Sequence, residues 1–402
     1  MVRTGEEVIM QEEAVIVSTA RTPIGKAFRG ALNMTQTPVM AAHAMRAAVD
    51  RAGVESSEIG DVVLGCALTQ GTSSINVARH AVFAAGFPDS VPAATVDRQC
   101  ASGLAAISIA ANQIRAGETH IAVAGGVDSV SLVQNARWND GNYRVATVRD
   151  GYYLSMLETA DLLARRYKIS RDAQDEYSLS SQQRTTQAQQ DGRFLAETVS
   201  IRTVQRVTDR STGEAREVEV TLDRDECNRP GTTAEALSGL APVLGGDSSI
   251  TAGNASQMSD GASASVLMSM SEANRRGIEP MGILRGIRTI GCAPEEMGIG
   301  PALAIPALLK DHGLEVDEID LWEINEAFAS QLVYCRDQLA LPAERLNVNG
   351  GAISIGHPYG MSGARMVGHA LIEGRRRHAR FAVVSMCIGW GMGAAALLEI
   401  PG

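Results

Sequence analysis

The 402-residue chain matches itself when it is shifted by 260 positions. Ala42, Ala44, Ala47, Gly53, Glu55, Glu58 and Ile59 fall on Ala302, Ala304, Ala307, Gly313, Glu315, Glu318 and Ile319. The same shift carries Ser102-Gly103 onto Ser362-Gly363, Ala110 onto Ala370, and Ala122-Val123 onto Ala382-Val383. An offset that stays constant over so long a stretch marks two homologous halves, so the fold must accommodate one design twice.

Each half alternates strands with helices. Residues 14–19 form a β-type apolar run, followed by the turn Arg21-Thr22-Pro23-Ile24-Gly25. Helical periodicity covers 38–52, and a second strand covers 61–68. After Cys100 an apolar helix runs to about 114, Gly117 stops it, and a buried strand over 120–124 ends at Gly125-Gly126. The counterparts are 302–312, 321–324, 362–373 and 381–386, with closing strands at 261–268 and 393–400. This order predicts an α/β protein with parallel-rich sheets covered by helices. The first half carries about 128 extra residues before its closing strand. The expected division is a first half of 14–126 plus 256–272, an inserted domain of 127–255, and a second half of 273–402. Within the insertion, 153–190 reads as a long helical stretch stopped by Gly192, with Ser170 capping its later part. Residues 193–229 read as extended, their arginines interleaved with acids on a solvated surface or a lid.

Charge and cysteines narrow the function classes. A formal charge of −10 argues against nucleic acid as a partner, and an anionic substrate would need a local basic patch. No apolar run reaches the roughly 18 residues of a membrane span. Residues 1–13 are acidic and polar without a signal-peptide core, and Ile400-Pro401-Gly402 is no targeting tripeptide. The six cysteines show neither metal spacing nor a small disulfide framework, so no metal and a cytoplasmic location are expected. Cys100, just before a helix, sits where the positive helix end favours thiolate. The offset puts Gly356-His357-Pro358-Tyr359-Gly360 just before the twin helix. Two halves packed about a pseudo-twofold axis would bring these helix starts together, and a Cys–His pair is a minimal activated nucleophile. Cys387, after the strand 381–386, is a second sulfur placed to act as acid or base. Asn325, after the strand 321–324, offers an amide to hold a water or an oxyanion. The Gly389-Trp390-Gly391-Met392-Gly393 run lacks the strand–turn–helix context of a dinucleotide loop.

Taken together, these segments resemble the thiolase family. Val96-Asp97-Arg98-Gln99-Cys100-Ala101-Ser102-Gly103 looks like its nucleophile segment and Asn325-Glu326-Ala327-Phe328-Ala329 like its Asn-Glu-Ala-Phe-Ala motif. Residues 349–363 resemble its glycine-rich His motif, and Cys387-Ile388-Gly389 its C-terminal Cys-x-Gly. Ala20–Gly25 and Ala252–Ser256 fit as well, so the likeness spans about 14–400. The resemblance implies a five-layer αβαβα fold of duplicated βαβαβαββ halves with an inserted, CoA-binding loop domain. It implies ping-pong acyl transfer between coenzyme A and a 3-oxoacyl-CoA, releasing acetyl-CoA, or the reverse condensation, with no permanently bound cofactor. Cys100 would be the nucleophile, His357 its activator and Cys387 the acid/base. The thioester oxygen would lie between His357 and an Asn325-held water, and the N–H groups of Cys100 and Gly389 would form a second oxyanion hole. Ser256 matches a position beside the pantetheine arm and Arg229 one near the adenine; Met156, Phe328 and Ala327 would line the acyl and CoA path. A homodimer or homotetramer is implied.

The chain departs from the family pattern at Trp390, Tyr359 and Gln257 and over 153–158, all of which bear on acyl specificity. The segment between Val130 and Tyr152 is shorter than in family members that use it to form tetramers. Two other readings remain: a non-catalytic thiolase-like binder of lipid or acyl-CoA, and a decarboxylating ketosynthase-type condensing enzyme. The latter uses two histidines, where this chain has His357 and Cys387.

Overall fold

The computed structural model describes residues 12–135, 151–209 and 211–402. The first half opens with β1 (Ala14–Arg21), β2 (Gly25–Lys26), α1 (Thr37–Ala52), β3 (Asp61–Gly65), α2 (Val77–Ala84) and β4 (Ala93–Val96). It continues through α3 (Ser102–Arg115), β5 (Ile121–Ser129) and the one-turn α4 (Val130–Val133). The insertion supplies α5 (Met156–Arg166), α6 (Arg171–Gln190), the hairpin β6 (Ile201–Thr208) and β7 (Ala215–Leu222), and α7 (Ala234–Ser238). Then come β8 (Ser259–Ser269), α8 (Met270–Arg276), β9 (Gly282–Gly291), α9 (Gly300–His312), β10 (Leu321–Ile324) and α10 (Ala329–Gln338). The chain closes with α11 (Ala352–Ile355), α12 (Tyr359–Arg377), β11 (Phe381–Ile388) and β12 (Met392–Glu399).

The strands run in the order β10-β11-β12-β9-β1-β8-β5-β3-β4, with β2 added to β8. β3 pairs in parallel with β4 and β5, β10 pairs in parallel with β11, and the closing strands are antiparallel. Among the described residues the two half-sheets join edge to edge where Val15 and Ile16 of β1 face Ile283 and Gly282 of β9. Side-chain alternation builds the layers. Val62 and Leu64 of β3 face an outer core with α1 and α2, while Val63 faces inward with Leu104 and Ile107 of α3. In the second half Val383 faces an outer core with α9 and α10, while Ala382 and Val384 face inward with Val367 and Leu371 of α12. Helices α3 and α12 therefore share one central core between the two half-sheets, the middle layer of an αβαβα fold.

The repeat is visible in detail. Gly53 and Gly313 end α1 and α9 at φ 65° and 63°, in the left-handed region that favours glycine. Both are followed by a short turn closed by a reciprocal cap, Glu55 with Glu58 and Glu315 with Glu318.

Some expected boundaries move. The strand expected over 61–68 stops at Gly65, because the Ala67 and Leu68 amides turn to the carboxylate of Asp128. The strand expected to end before Gly125-Gly126 runs on to Ser129. Those glycines are places of close approach: a β-carbon would collide with Ser263 O at Gly125 and with Gly360 O at Gly126. The stretch 153–190 is two helices, with Lys168 at φ 57° in the break and the Ser170 hydroxyl capping α6 by accepting the Ala173 N–H. The segment expected to be extended forms the β6–β7 hairpin. The shortened segment before Tyr152 lies mostly outside the described residues.

Candidate active site

The site forms where the twin helices of the central layer begin. Cys100 precedes α3, held in a tight turn in which Ala101 N–H bonds to Arg98 O and Ser102 N–H to Gln99 O, both at 3.0 Å. Gln99 takes φ 49° to make that turn. The Gly389 N–H and the residue's own N–H both favour the Cys100 thiolate; burial of the sulfur outweighs them and pushes the thiol up to about 12. The resting group is therefore a thiol that needs a base.

The candidate base is His357, directly before α12. Its amide donates to Gln257 O at 2.9 Å, which fixes the backbone. Its Nδ1 lies 2.6 Å from Ser362 Oγ, and the Ser362 hydroxyl donates to Pro358 O at 3.0 Å. A carbonyl can only accept, so the hydroxyl proton is committed there and Nδ1–H donates to Ser362. Nε2 is left with its lone pair, 3.3 Å from the Asn325 amide nitrogen. Burial alone lowers His357 to about 4, so the ring is neutral across the ordinary range. Asn325 leaves β10 with its own amide bonded to Ser385 O of β11 at 2.9 Å.

Cys387, expected just past a strand, lies within β11, paired with Gly393 of β12. The strand runs one residue further because Ile388 still pairs with Met392. Burial and then the charge of Cys100 push its thiol well up, so Cys387 keeps its proton in the resting state. Tyr359 joins the two groups: its ring meets His357 edge-on at 5.2 Å, and the charge of Cys100 acts on its phenol.

The expected substrate-path residues converge on the same place. Cys387, Ala327 and Phe328 share an apolar cluster with Met297 and Ile250, against which Met156 and Leu157 pack. Ser256 donates its N–H to Ala327 O at 2.9 Å, and Ala255 bridges to Phe328. Arg229 is exposed, and its guanidinium donates to Gln257 at 3.0 Å, next to Ser256. A β-carbon on Gly389 would lie 3.7 Å from the Met156 sulfur, so Met156 borders the Cys100 side as well. Trp390, at φ 62° and 44% exposed, stacks on Tyr152 with ring centroids 6.5 Å apart. Ser362, which sets the tautomer of His357, appears in the sequence only as a marker of the repeat. Among the described residues no group of three or more His, Cys, Asp or Glu side chains is arranged to hold a metal. No described helix is long and apolar enough to cross a membrane.

Comparison with known proteins agrees with this arrangement. A family model described as the thiolase N-terminal domain matches residues 14–271, and one described as the thiolase C-terminal domain matches 278–400. The chain is 42% identical over 395 residues to the peroxisomal 3-ketoacyl-CoA thiolase 1 of Arabidopsis thaliana, covering 97% of this chain and 88% of that one. It is 41% identical over 393 residues to a 3-ketoacyl-CoA thiolase of Bacillus subtilis, covering 97% and 100%. Among solved structures, human mitochondrial 3-ketoacyl-CoA thiolase superposes with a TM-score of 0.87 at 35% identity, covering 98% and 100%. The acetyl-CoA acetyltransferase of Bacillus anthracis gives 0.86 at 37%, covering 97% and 99%. Two halves related by one offset, a cysteine and a histidine at twin helix starts, and matches along nearly the whole length lead to one conclusion: the chain belongs to the thiolase family.

Proposed function

We propose that this acyltransferase cleaves a 3-oxoacyl-CoA with coenzyme A by ping-pong transfer through Cys100. The observation that carries the reading is the convergence on the Cys100 sulfur of the Gly389 N–H and the second thiol, Cys387. His357 Nε2 takes the Cys100 proton, and the thiolate adds to the 3-keto carbon. The C2–C3 bond breaks with its electron pair on C2, and the Cys387 S–H delivers a proton there, releasing acetyl-CoA. A second coenzyme A then gives its thiol proton to the Cys387 thiolate, its sulfur adds to the thioester carbon and displaces the Cys100 sulfur, and Cys100 takes its proton back from His357. The Cys100 and Gly389 amides act on one developing oxyanion, and His357 with an Asn325-held water on the other. Ser256 and Arg229 hold the pantetheine and adenine ends, while Met156, Ala327 and Phe328 line the path between.

Relatives named 3-ketoacyl-CoA thiolase favour the cleavage direction. Trp390 and Tyr359 add bulk at the mouth and beside the base, and both act on acyl selection. A homo-oligomer in the cytoplasm completes the reading; the six free cysteines suit a reducing compartment, and light scattering decides the oligomer.

Two variants test the mechanism. Cys100→Ser is expected to abolish thiolysis, followed as loss of 3-oxoacyl-CoA enolate absorbance; full activity would refute the acyl-cysteine. Cys387→Ala is expected to acquire an acyl group on Cys100 yet fail to exchange the α-protons of acetyl-CoA. Retained exchange would move the acid/base role elsewhere.

A further inference from the structure

Under the 260-residue offset Cys100 corresponds to Gly360, Asn325 to Gly65, and Gly389 to Ser129. In the working site the end of β11 presents the Gly389 N–H to Cys100. In the twin location the end of β5 meets Gly360 with a carboxylate instead. Asp128 accepts the Gly360 N–H at 2.5 Å, the Leu68 N–H at 2.9 Å, the Ala67 N–H at 3.1 Å and the Cys66 S–H at 3.2 Å. The side chain is wholly buried, and no step of thiolysis uses it. A β-carbon on Gly360 would stand 2.8 Å from Gly65 O and 2.9 Å from Asp128 Oδ2. The twin position is thus closed to a side chain, and the carboxylate takes its place.

We propose that Asp128 is a positioning residue of the acyl-transfer site, pinning the first turn of α12 to the loop after β3 and thereby fixing His357 against Cys100. The donors come from both halves: Gly360 from the second, Cys66, Ala67 and Leu68 from the first. His357 lies three residues before Gly360, so any slip of this turn moves Nε2. The carboxylate also sits at the positive end of α12, which its charge neutralises. Burial raises Asp128 to about 6, with the Gly360 and Leu68 amides opposing, so it is charged at neutral pH. The titratable groups facing it are Cys66 of the β3 loop, Cys100 before α3 and Tyr359 of α12. Its charge disfavours the Cys100 thiolate, so the proton leaves only to a well-placed His357.

The proposal rests on the acyl-cysteine reading, and wild-type thiolysis tests that reading separately. Asp128→Asn, checked as folded by circular dichroism, is expected to lose about a hundredfold in kcat. Its KM for coenzyme A should stay within about threefold, because the CoA path is untouched. Its profile of Cys100 alkylation by iodoacetamide against pH should move to lower pH. A folded variant with wild-type kcat overturns the proposal. So does lost kcat with an unmoved alkylation profile, which would mark a merely structural role. If Asp128→Asn does not fold, Cys66→Ala decides: it removes only the side-chain donor and leaves the carboxylate charge less shared. Slower alkylation at neutral pH then supports the proposal, and an unmoved profile overturns it.

Discussion

His357 suits the proposed role of base because its surroundings decide its proton. The Ser362 hydroxyl, committed to Pro358 O, fixes Nδ1–H, and burial lowers the ring to about 4. The neutral form is the one the proposed step needs, so the sign is fixed: His357 itself withdraws activity only as pH falls through about 4, whereas protonation of Asp128, at about 6, withdraws the positioning first. The wild-type acid side of kcat/KM is therefore expected to fall in two steps, and Asp128→Asn is expected to show only the lower one, well below the limb of an ordinary histidine. In that variant a limb centred near 6.5 would show that water reaches the ring. At this scale the candidate site was legible where it is carried by residue types inside long motifs, Cys100, His357, Cys387 and Asn325, which the fold brings to one place. The orienting residues were not. Ser362 reaches His357 from five positions along a helix, and Asp128 gathers donors from 60 to 232 positions away. Neither leaves a pattern in the local sequence.

The pair α3–α12 is where the duplication becomes a site, and glycines decide how closely the two helices approach. A β-carbon on Gly103 would collide with Gly360 O and stand 3.1 Å from the Ala364 β-carbon. On its twin, Gly363, a β-carbon would meet the Leu104 backbone nitrogen at 2.8 Å. The obstructing atoms are mostly backbone, so relief requires the helices to part. Gly103→Ala is expected to lower stability by about 1–3 kcal/mol, read as a drop in the denaturant midpoint, and to cut kcat by separating Cys100 from His357. An alanine variant of unchanged stability would mean that the crossing is looser than this geometry. The same glycines explain which boundaries were misread. Gly125 and Gly126 look like strand terminators but lie inside β5, where a neighbouring chain needs the room. The start of α6 was legible because the Ser170 cap depends on residues within one turn. The break between α5 and α6 was hidden because Lys168, a good helix former, takes a left-handed conformation there.

Across the whole molecule one buried charge cluster ties together both halves and the insertion. Arg21 of β1 bonds to Glu197 at 2.7 Å and to Asp225 at 2.7 and 2.9 Å, both in the insertion. Glu197 in turn meets His369 Nδ1 of α12 at 2.7 Å. All four side chains are buried. Glu197 and Asp225 belong to the stretch whose alternating charges suggested a solvated surface, and for most of β6 and β7 that holds. Their burial was not legible because their partner stands 176 and 204 positions away, beyond any periodicity. Arg21→Met keeps the bulk of the side chain but strands two carboxylates, and is expected to lower stability by about 3–5 kcal/mol. Adding Glu197→Gln and Asp225→Asn should recover part of that loss, since uncharged amides need no counter-ion. The pH dependence separates charge from packing. Burial would push the Glu197 carboxyl up, but His369 and Arg21 outweigh it and hold it well below the usual range. A depressed carboxylate contributes stability that is complete above its unfolded value and lost as pH falls through the folded one. Without Arg21 the Glu197 carboxyl keeps His369 as its close partner but loses its second counter-charge, so it rises from its depressed value, and protonating it on acidification relieves part of the stranded charge. The deficit of Arg21→Met relative to wild type is therefore expected to shrink between about pH 8 and pH 5. Denaturant midpoints of the two proteins measured across that range decide the matter, and a deficit that stays constant would assign the loss to packing rather than to charge.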